Sequence, residues 1–450
     1  MIVMKFGGTS VQDAAAMLNV IDIVRKRKQK VLVVSSACAG MTNLLLEAAQ
    51  KAGARDEKSA KKLITSIEKH HLAIAETLIT DEDRLAKTYA QIEQYCDDLR
   101  SLSHGMAILG ECSPRSLDAF ASYGEMLSTT VLAAGFEERE PDALLEDVRK
   151  YMVTDDAFTK AQPDIPEMTT RVTSELLPLF TKHKIIITQG FIGATPDGIR
   201  TTIGRGGSDY SAALLGVAAN AKEIQIWTDV NGVLTADPRL VPHAQNIAAL
   251  TFHEASELAY FGAKVLHPET IKPAVDKNIP VRVLNSRQPD HPGTLILREI
   301  QEQDSVGVKS IASKKDITLL NITSTRMFLA HDYIKAVFDI FEKYETIVHL
   351  IASSEVTISV TFEDTSHLDQ IIEELQRFAQ VKMVPKRAII CAVGEDLTPT
   401  PGIVGKLFSS ISNINVQMIS QGASETNISF VIDEQDVEKA VQQIHKAFFE

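Results

Sequence analysis

Short apolar runs alternate with amphipathic segments over the first 290 residues of the chain. The runs are rich in β-branched residues, and between them apolar side chains recur every three or four positions, as on one face of a helix. The runs predict strands at Ile2–Met4, Val31–Val34, Lys184–Thr188, Ile224–Trp227 and Val281–Leu284, and the amphipathic segments predict helices that include Ala14–Arg27 and Ser208–Ala219. This alternation predicts an α/β fold with a mainly parallel sheet covered by helices. Residues 44–110, which are long, charged and helical in pattern, predict a helical excursion from the sheet.

The pattern changes after Arg287-Gln-Pro-Asp-His-Pro-Gly-Thr294, where two prolines and a glycine interrupt regular structure. Residues 311–450 then contain an internal repeat. Glu355-Val-Thr-Ile-Ser-Val360 and Glu425-Thr-Asn-Ile-Ser-Phe430 match at equivalent places in two β-α-β-β-α patterns. A period of this length that occurs twice indicates two copies of a small domain, since a solenoid needs at least three.

The first copy ends with a predicted strand, Val381–Val384, and the second copy has no counterpart before Glu450. We expect Gly307–Ile311 to complete the second sheet, so that the two copies interlock. The predicted organisation is an α/β domain over residues 1–290, a linker over 291–305, a first repeat region over 306–385 and a second over 386–450. Within the first region, residues 306–311 would belong to the second sheet.

Composition narrows the class of function. The formal net charge is −13, which argues against broad nucleic-acid binding because that needs a basic surface to replace phosphate counterions. No apolar run approaches the 18–20 or so residues that span a bilayer, and the first residues lack the pattern of a signal peptide. Four scattered cysteines show no metal-binding or disulfide spacing. We therefore expect a soluble, cytoplasmic protein without nucleic-acid or membrane partners.

Two glycine-rich loops carry candidate chemistry. Lys5-Phe-Gly-Gly-Thr-Ser10 follows a predicted strand and precedes a helix, so that backbone amides, a helix dipole and the Lys5 cation could meet a phosphate. Gly204-Arg-Gly-Gly-Ser-Asp209 also opens a helix, and it is neither a Walker A loop nor a dinucleotide fingerprint. Its Arg205 could hold a carboxylate with two parallel hydrogen bonds, while Asp209 could equally cap the helix.

These loops belong to a series of motifs that together resemble the aspartokinases. The series is Lys5-Phe-Gly-Gly-Thr-Ser10, Ser36-Ala-Cys-Ala-Gly-Met-Thr-Asn43, Ser122-Tyr-Gly-Glu125, Thr188-Gln-Gly-Phe-Ile-Gly193, Gly204-Arg-Gly-Gly-Ser-Asp209, Trp227-Thr-Asp-Val-Asn-Gly-Val233 and Phe261-Gly-Ala-Lys-Val-Leu-His-Pro268. The resemblance covers the whole chain and is greatest to the single-function, lysine-sensitive class. It implies an amino-acid-kinase fold with a mainly parallel sheet sandwiched by helices. Two interlocked, ferredoxin-like βαββαβ units, tandem ACT domains, would follow it.

The resemblance implies a reaction in which ATP, with Mg²⁺, phosphorylates the β-carboxylate of L-aspartate. The product, 4-phospho-L-aspartate, is the first intermediate toward lysine, threonine and methionine. Lys5 would stabilise the moving phosphoryl group, and Asp209 would organise Lys5 and the substrate ammonium. The implied substrate contacts are Arg205 to the α-carboxylate, Glu125 to the α-ammonium, Thr42 to the reacting end, and Ser208. No protein metal ligand is implied, since Mg²⁺ is expected on phosphates and water.

The nucleotide contacts implied by the resemblance are Lys5, Gly7, Gly8, Thr228, Asp229, Leu234, Arg239 and Lys264. Leu234 departs from the family pattern, which often has a tyrosine there. A leucine can pack on a purine but cannot stack as an aromatic ring or donate a hydrogen bond.

The regulatory repeat implies an amino-acid effector, with lysine as the first choice and threonine as the alternative. The implied effector site is Phe328, Leu329, Val348, His349, Ser354 and Glu355. Relatives carry an acid where this chain has His349, and a protonated histidine would repel the lysine ammonium. Inhibition by lysine would then deepen from about pH 6 to 8. ACT units commonly pair through sheet edges, so we expect a homodimer or a larger assembly.

Two other functions compete with this interpretation. One is another amino-acid kinase of similar fold, such as an N-acetylglutamate or glutamate kinase. Glu125 and Arg205 together favour a free amino acid, because an N-acylated substrate has no ammonium for Glu125. The other is a non-enzymatic ACT sensor, which would be expected to lack Lys5 or Asp209.

Overall fold

The strands of the N-terminal part form a sheet that has the first strand of the chain near its centre. The computed structural model describes residues 1–204, 206–262, 266–300, 307–324 and 330–450. The first ten strands are β1 (Ile2–Phe6), β2 (Val31–Ser35), β3 (Ala143–Leu145), β4 (Ile185–Gln189), β5 (Ile192–Ala194), β6 (Arg200–Thr202), β7 (Ile224–Thr228), β8 (Ala249–Thr251), β9 (Val281–Asn285) and β10 (Thr294–Leu297). Eight of them form one sheet in the order β3-β4-β2-β1-β7-β9-β10-β8, and β5 pairs with β6.

Every pair in this large sheet is parallel except β9 with β10. β1, β2 and β4 are buried at all five positions, as expected for strands covered by helices on both faces. The helices are α1 (Ala14–Arg25), α2 (Met41–Gly53), α3 (Glu57–Leu78), α4 (Glu82–Leu109), α5 (Pro114–Arg139), α6 (Ile165–Arg171), α7 (Leu177–Leu179), α8 (Gly207–Ala218), α9 (Phe252–Tyr260) and α10 (Pro268–Asp276).

The register of the sheet brings several strand ends to one edge. Phe6 lies opposite Ser35 on β2 and Trp227 on β7, and Ser35 lies opposite Gln189 on β4. Because parallel strands end at the same edge, the loops that follow β1, β2, β4 and β7 emerge together. Ligands of open α/β sheets bind at such an edge.

The C-terminal part is a six-stranded antiparallel sheet in the order β12-β13-β11-β14-β16-β15. Its elements are β11 (Gly307–Ser324), α11 (Ala330–Lys343), β12 (Val348–Ser353), β13 (Thr357–Phe362), α12 (Leu368–Gln376), β14 (Ala379–Glu395), α13 (Ile403–Ser410), β15 (Met418–Gln421), β16 (Asn427–Asp433) and α14 (Val437–Phe449). The predicted fold class, a mainly parallel α/β sheet followed by an interlocked antiparallel repeat, is confirmed.

Two long strands connect the halves of this second sheet. The start of β11 pairs with the end of β14, and the rest of β11 pairs with both β13 and the start of β14. The sequence predicts separate short strands in place of each long one: Gly307–Ile311 and Ile317–Ile322 within β11, and Val381–Val384 and Ala388–Val393 within β14. Lys314-Lys315-Asp316 and Pro385-Lys386-Arg387 interrupt the apolar pattern between them. The register of β11 on β14 shifts between Lys314 and Ile317, so a polar irregularity continues the strand instead of ending it.

The chain divides into two compact units, which we call the N-terminal and C-terminal units. The N-terminal unit comprises Met1–Val233, Ala248–Phe252 and His267–Arg298, and the C-terminal unit comprises Leu234–Ile247, His253–Leu266 and Glu299–Glu450. β10 lies inside residues 291–305, so the predicted linker contributes a strand to the first sheet. Among the described helices, none is long and apolar enough to cross a membrane.

Candidate active site

The turn after β1 brings the Lys5 side chain against a close-packed backbone. A Cβ atom on Gly8 would lie 2.9 Å from the Ala37 carbonyl oxygen, so only glycine fits without a shift. The Ala39 amide donates to the Gly8 carbonyl at 3.1 Å, and the Gly7 amide donates to the Trp227 carbonyl at 3.1 Å. These bonds connect the turns after β1, β2 and β7.

The helix dipole expected at this turn is not directly available. A 3₁₀ turn over Gly8–Ser10 follows β1, and α1 begins only at Ala14. Its first turn is capped by Asp13, whose Oδ1 accepts from the Ala16 amide at 2.8 Å. The helix predicted at Ala14–Arg27 is present as α1, but its N-terminus lies beyond the Lys5 loop.

The second glycine-rich loop opens α8 and carries Asp209. Gly204 and Gly206 have φ of +79° and +75°, a left-handed conformation that favours glycine. Gly206 is the N-cap and supplies no capping side chain, so this helix end can receive an anionic group. Asp209 extends from the first turn, and its Oδ1 lies 2.6 Å from Lys5 Nζ. The two predicted catalytic residues thus form an ion pair between the two loops.

Helix α5 contributes a buried carboxyl group. Glu125 is 3% exposed, and its Oε1 accepts from the Ala37 amide at 3.2 Å. Its Oε2 has no hydrogen-bond partner among the described residues. Burial raises the pKa of Glu125 to about 8, against the opposing effects of backbone hydrogen bonds and the Lys5 charge.

One cleft of about 380 Å³ collects most of the predicted catalytic and substrate residues. Lys5, Thr42, Glu125, Ser208 and Asp209 line it, together with Gly8 and the backbone around Ala37. It therefore combines a cation, an ionised carboxylate, a buried carboxyl group and glycine-rich backbone. Arg205 lies outside the described residues.

Sequence reasoning missed one residue that organises this cleft. Asp118 of α5 is 1% exposed, and its Oδ2 accepts from the amides of Thr159 and Thr202, both at 2.9 Å. Its Oδ1 accepts from the Thr202 hydroxyl at 2.6 Å. Thr202 ends β6 directly before the loop at Gly204, so Asp118 anchors that loop. An aspartate at this place in a mostly buried helix was the available signal, but its three donors are distant in sequence.

The predicted nucleotide residues are divided between the units. In the N-terminal unit, Thr228 and Asp229 follow β7, and the Thr228 hydroxyl donates to Asp229 Oδ1 at 3.2 Å. Leu234 and Arg239 belong to the C-terminal unit. The Arg239 side chain is 87% exposed and pairs with Asp237, which raises the pKa of the guanidinium. Lys264 lies outside the described residues.

The predicted effector residues lie on or next to β12. Val348 and His349 belong to this strand, and Ser354 and Glu355 form the exposed turn that follows it. Phe328 and Leu329 lie outside the described residues. The His349 ring is nearly buried, and its Nδ1 lies 3.0 Å from the Tyr260 hydroxyl. Burial, with the Lys314 charge, lowers the pKa of His349 to about 4. This lowered pKa argues against the expectation that His349 titrates between pH 6 and 8.

Comparisons with known proteins agree with the fold. A sequence model of the amino acid kinase family matches residues 1–285, and an ACT domain model matches residues 390–448. Lysine-sensitive aspartokinase 3 of Escherichia coli K12 is 37% identical over 460 residues, covering all of this chain and 99% of that protein. Chloroplastic aspartokinase 3 of Arabidopsis thaliana is 39% identical over 474 residues, covering all of this chain and 81% of that protein.

Solved structures extend the agreement to three dimensions. E. coli aspartokinase III in complex with aspartate and ADP is 36% identical, with a TM-score of 0.83 over all of both chains. The same enzyme in complex with lysine and aspartate gives a TM-score of 0.86, also at 36% identity and full coverage of both chains. The chain belongs to the amino acid kinase family, and within it to the aspartokinases.

Proposed function

We propose that this protein transfers the γ-phosphoryl group of ATP to the β-carboxylate of L-aspartate. We also propose that an amino acid inhibits it, with lysine as the first choice of inhibitor. The observation that carries the proposal is the cleft in which the Lys5–Asp209 ion pair and the buried Glu125 carboxyl group occur together. The relatives named above are named aspartokinases, and both solved structures of E. coli aspartokinase III contain aspartate.

The proposed chemistry depends on positioning and charge. A carboxylate nucleophile is already ionised at neutral pH, so the cleft needs no general base. Lys5 supplies positive charge where the phosphoryl group carries negative charge in the transition state. Asp209 fixes the direction of the Lys5 ammonium, and the absence of a Cβ at Gly8 lets the backbone of Ala37 and Ala39 pack closely against the Lys5 loop.

Glu125 gives the cleft its preference for a free amino acid. Its unpartnered, buried oxygen can accept a hydrogen bond from the α-ammonium of aspartate. The ammonium stabilises the ionised carboxylate and lowers its raised pKa, so substrate binding releases a proton. Thr42 and Ser208 line the same cleft and are assigned to the substrate, as is Arg205 on the family motif.

We assign ATP to the edge of the sheet at Lys5, Gly7, Gly8, Thr228 and Asp229, with Leu234, Arg239 and Lys264 as further contacts on the family motif. Mg²⁺ would reach the protein with ATP, held by phosphate oxygens and water. The cleft fits this assignment because Asp209 is occupied by Lys5 and the raised pKa of Glu125 favours its protonated form.

Feedback inhibition is assigned to the C-terminal unit, with Val348, His349, Ser354 and Glu355 at the effector, together with Phe328 and Leu329. Glu355 is an exposed carboxylate that can pair with the side-chain ammonium of lysine. A neutral His349 does not repel that ammonium, which removes the argument against lysine. We propose a homodimer or larger assembly through the ACT units.

The test is ATP turnover measured with L-aspartate, L-glutamate and N-acetyl-L-aspartate, each with and without lysine, threonine or methionine. We expect turnover with L-aspartate but not with L-glutamate or N-acetyl-L-aspartate. We also expect lysine to inhibit the turnover of L-aspartate. Turnover with N-acetyl-L-aspartate would contradict the role of Glu125. Inhibition by threonine but not lysine would overturn the effector and leave the kinase assignment intact.

A further inference from the structure

Two histidines and a glutamate, none of which is assigned a role above, meet in the C-terminal unit. His243 lies in the segment Leu234–Ile247, and His445 and Glu450 lie on and just after α14. His243 Nε2 is 2.6 Å from Glu450 Oε1, and His445 Nδ1 is 3.7 Å from the same oxygen. One ligand atom from each residue lies within 4.8 Å of the others.

His445 is the member whose surroundings indicate a ligand. Its side chain is 1% exposed, and its Nδ1 has no hydrogen-bond partner among the described residues. The other ring nitrogen, Nε2, lies 2.9 Å from the Thr235 hydroxyl oxygen. A buried imidazole nitrogen without a partner is costly, so this orientation needs an explanation.

Thr235 holds the ring in the orientation that metal ligation requires. Its amide donates to the Gln245 carbonyl at 2.9 Å, and its hydroxyl oxygen accepts from the Gln245 amide at 2.9 Å. The hydroxyl oxygen can also accept the Nε2 proton of His445, which leaves a lone pair on Nδ1. Metal-ligating histidines commonly donate their second ring N–H to an oxygen in this way.

We propose that His243, His445 and Glu450 bind one divalent transition-metal ion, of the Zn²⁺ class, with a water molecule at the remaining position. Two imidazole nitrogens and a carboxylate suit this class of ion. Tetrahedral bonds of about 2.0–2.2 Å place ligand atoms roughly 3.3–3.6 Å apart. The His445–Glu450 spacing of 3.7 Å is close to this, whereas His243, now 2.6 Å from Glu450, would have to move away from the carboxylate. His243 and Glu450 have 66% and 41% exposed side chains, so they can adjust around the fixed His445.

The ion would connect the segment Leu234–Ile247 to helix α14. Ala236 and Val241 of this segment already pack in the same apolar core as Val441 and Ile444 of α14. The metal would therefore stabilise an existing contact within the C-terminal unit, as structural zinc sites do. The alternative is a simple ion pair between His243 and Glu450, which leaves His445 Nδ1 unused.

The test uses untagged, chelator-treated full-length protein titrated with Co²⁺ and, separately, with Zn²⁺. We expect one ion per chain, visible absorption bands of four-coordinate Co²⁺, and a rise in Tm with Zn²⁺. The single variants His243→Ala and Glu450→Gln should each weaken Co²⁺ and Zn²⁺ binding by about tenfold or more. The double variant that combines His243→Ala with His445→Gln should abolish metal binding.

The matched control is His104→Ala, because His104 and Glu57 form an exposed histidine–glutamate pair at 3.1 Å with no second imidazole assigned to it. This variant should bind Co²⁺ like the wild type. If His445→Gln does not fold, His243→Ala alone still tests the proposal, since His243 is exposed. Absence of the Co²⁺ bands, or equal affinity in His243→Ala, would show an ion pair only and overturn the metal site.

Discussion

The cleft of the N-terminal unit and the turn after β12 in the C-terminal unit carry their chemistry in different ways. In the cleft, charged groups are largely shielded from solvent: Lys5 pairs with the Asp209 side chain, and Glu125 accepts from the Ala37 amide. At the turn, Ser354 and Glu355 are exposed on a short connection between two strands. Burial makes the cleft sensitive to single atoms and to pH, whereas solvent screens the turn. Each prediction below tests this contrast.

The largest effect is expected for Lys5→Ala. Removing the ammonium leaves the developing phosphoryl charge without its cation, so kcat should fall by about 10²-fold or more. The variant should remain folded, because the β1 backbone bonds do not depend on the side chain. Steady-state kinetics test this, with Lys61→Ala on the exposed face of α3 as the control. A near-normal kcat would remove Lys5 from the catalytic set.

Glu125→Gln should lower kcat/KM for aspartate by about 10²-fold, because a neutral amide does not pair with the α-ammonium. In the wild type, the pKa of about 8 means that aspartate binding must remove a proton at lower pH. Accordingly, kcat/KM should rise by up to about tenfold per unit between pH 6 and 8. Glu125→Gln should lose this slope, and a flat wild-type profile would contradict the raised pKa.

The Glu125 carboxyl group also gives a prediction for stability, which should fall with pH whereas kcat/KM should rise. The pKa of Glu125 is raised from 4.5 to about 8 on folding, so the folded state binds the proton more tightly than the unfolded state. Wild-type stability therefore falls as pH rises from about 5 to 8. Glu125→Gln lacks this term, so its Tm relative to wild type should increase over that range. Calorimetry of both proteins at pH 5 and pH 8 measures the Tm of Glu125→Gln minus that of the wild type. A value of this difference that falls from pH 5 to pH 8 would be evidence against the raised pKa of Glu125.

A smaller effect is expected for Asp118→Asn. The new amide turns a donor toward the Thr159 and Thr202 amides and displaces the loop that follows β6. KM for aspartate should rise by about tenfold with a smaller change in kcat, and unfolding should cost about 1–3 kcal/mol less. Asp197→Asn, at an exposed turn, is the control. A loss of about tenfold in kcat with no change in the KM for aspartate would indicate that Asp118 has a purely structural role.

The smallest effect is expected at His349. Because its pKa of about 4 leaves it neutral, lysine inhibition should differ by no more than about twofold between pH 6 and 8. His349→Asp adds a carboxylate on β12, the strand that leads into the turn with Glu355, and should strengthen lysine inhibition. A marked deepening of wild-type inhibition toward pH 8 would show that His349 titrates there after all.

Short motifs made the cleft largely predictable. Glycines at φ near +75° and a lysine at a strand end can be recognised locally, because the constraint lies within a few residues. Asp118 could not be found in this way, since its partners Thr159 and Thr202 come from other segments. The same limit applies to β11 and β14, where neighbouring strands decide that a polar interruption continues the strand.

The sequence by itself determined the alternation of strands and helices, the glycine loops, the internal repeat and the motifs that place the chain among the aspartokinases. These properties depend on backbone preference and on side-chain period, which are local. Only the tertiary structure decided that burial raises the pKa of Glu125, that burial lowers the pKa of His349, and that His243, His445 and Glu450 meet. Desolvation and proximity arise when distant segments pack, so no local pattern contains them.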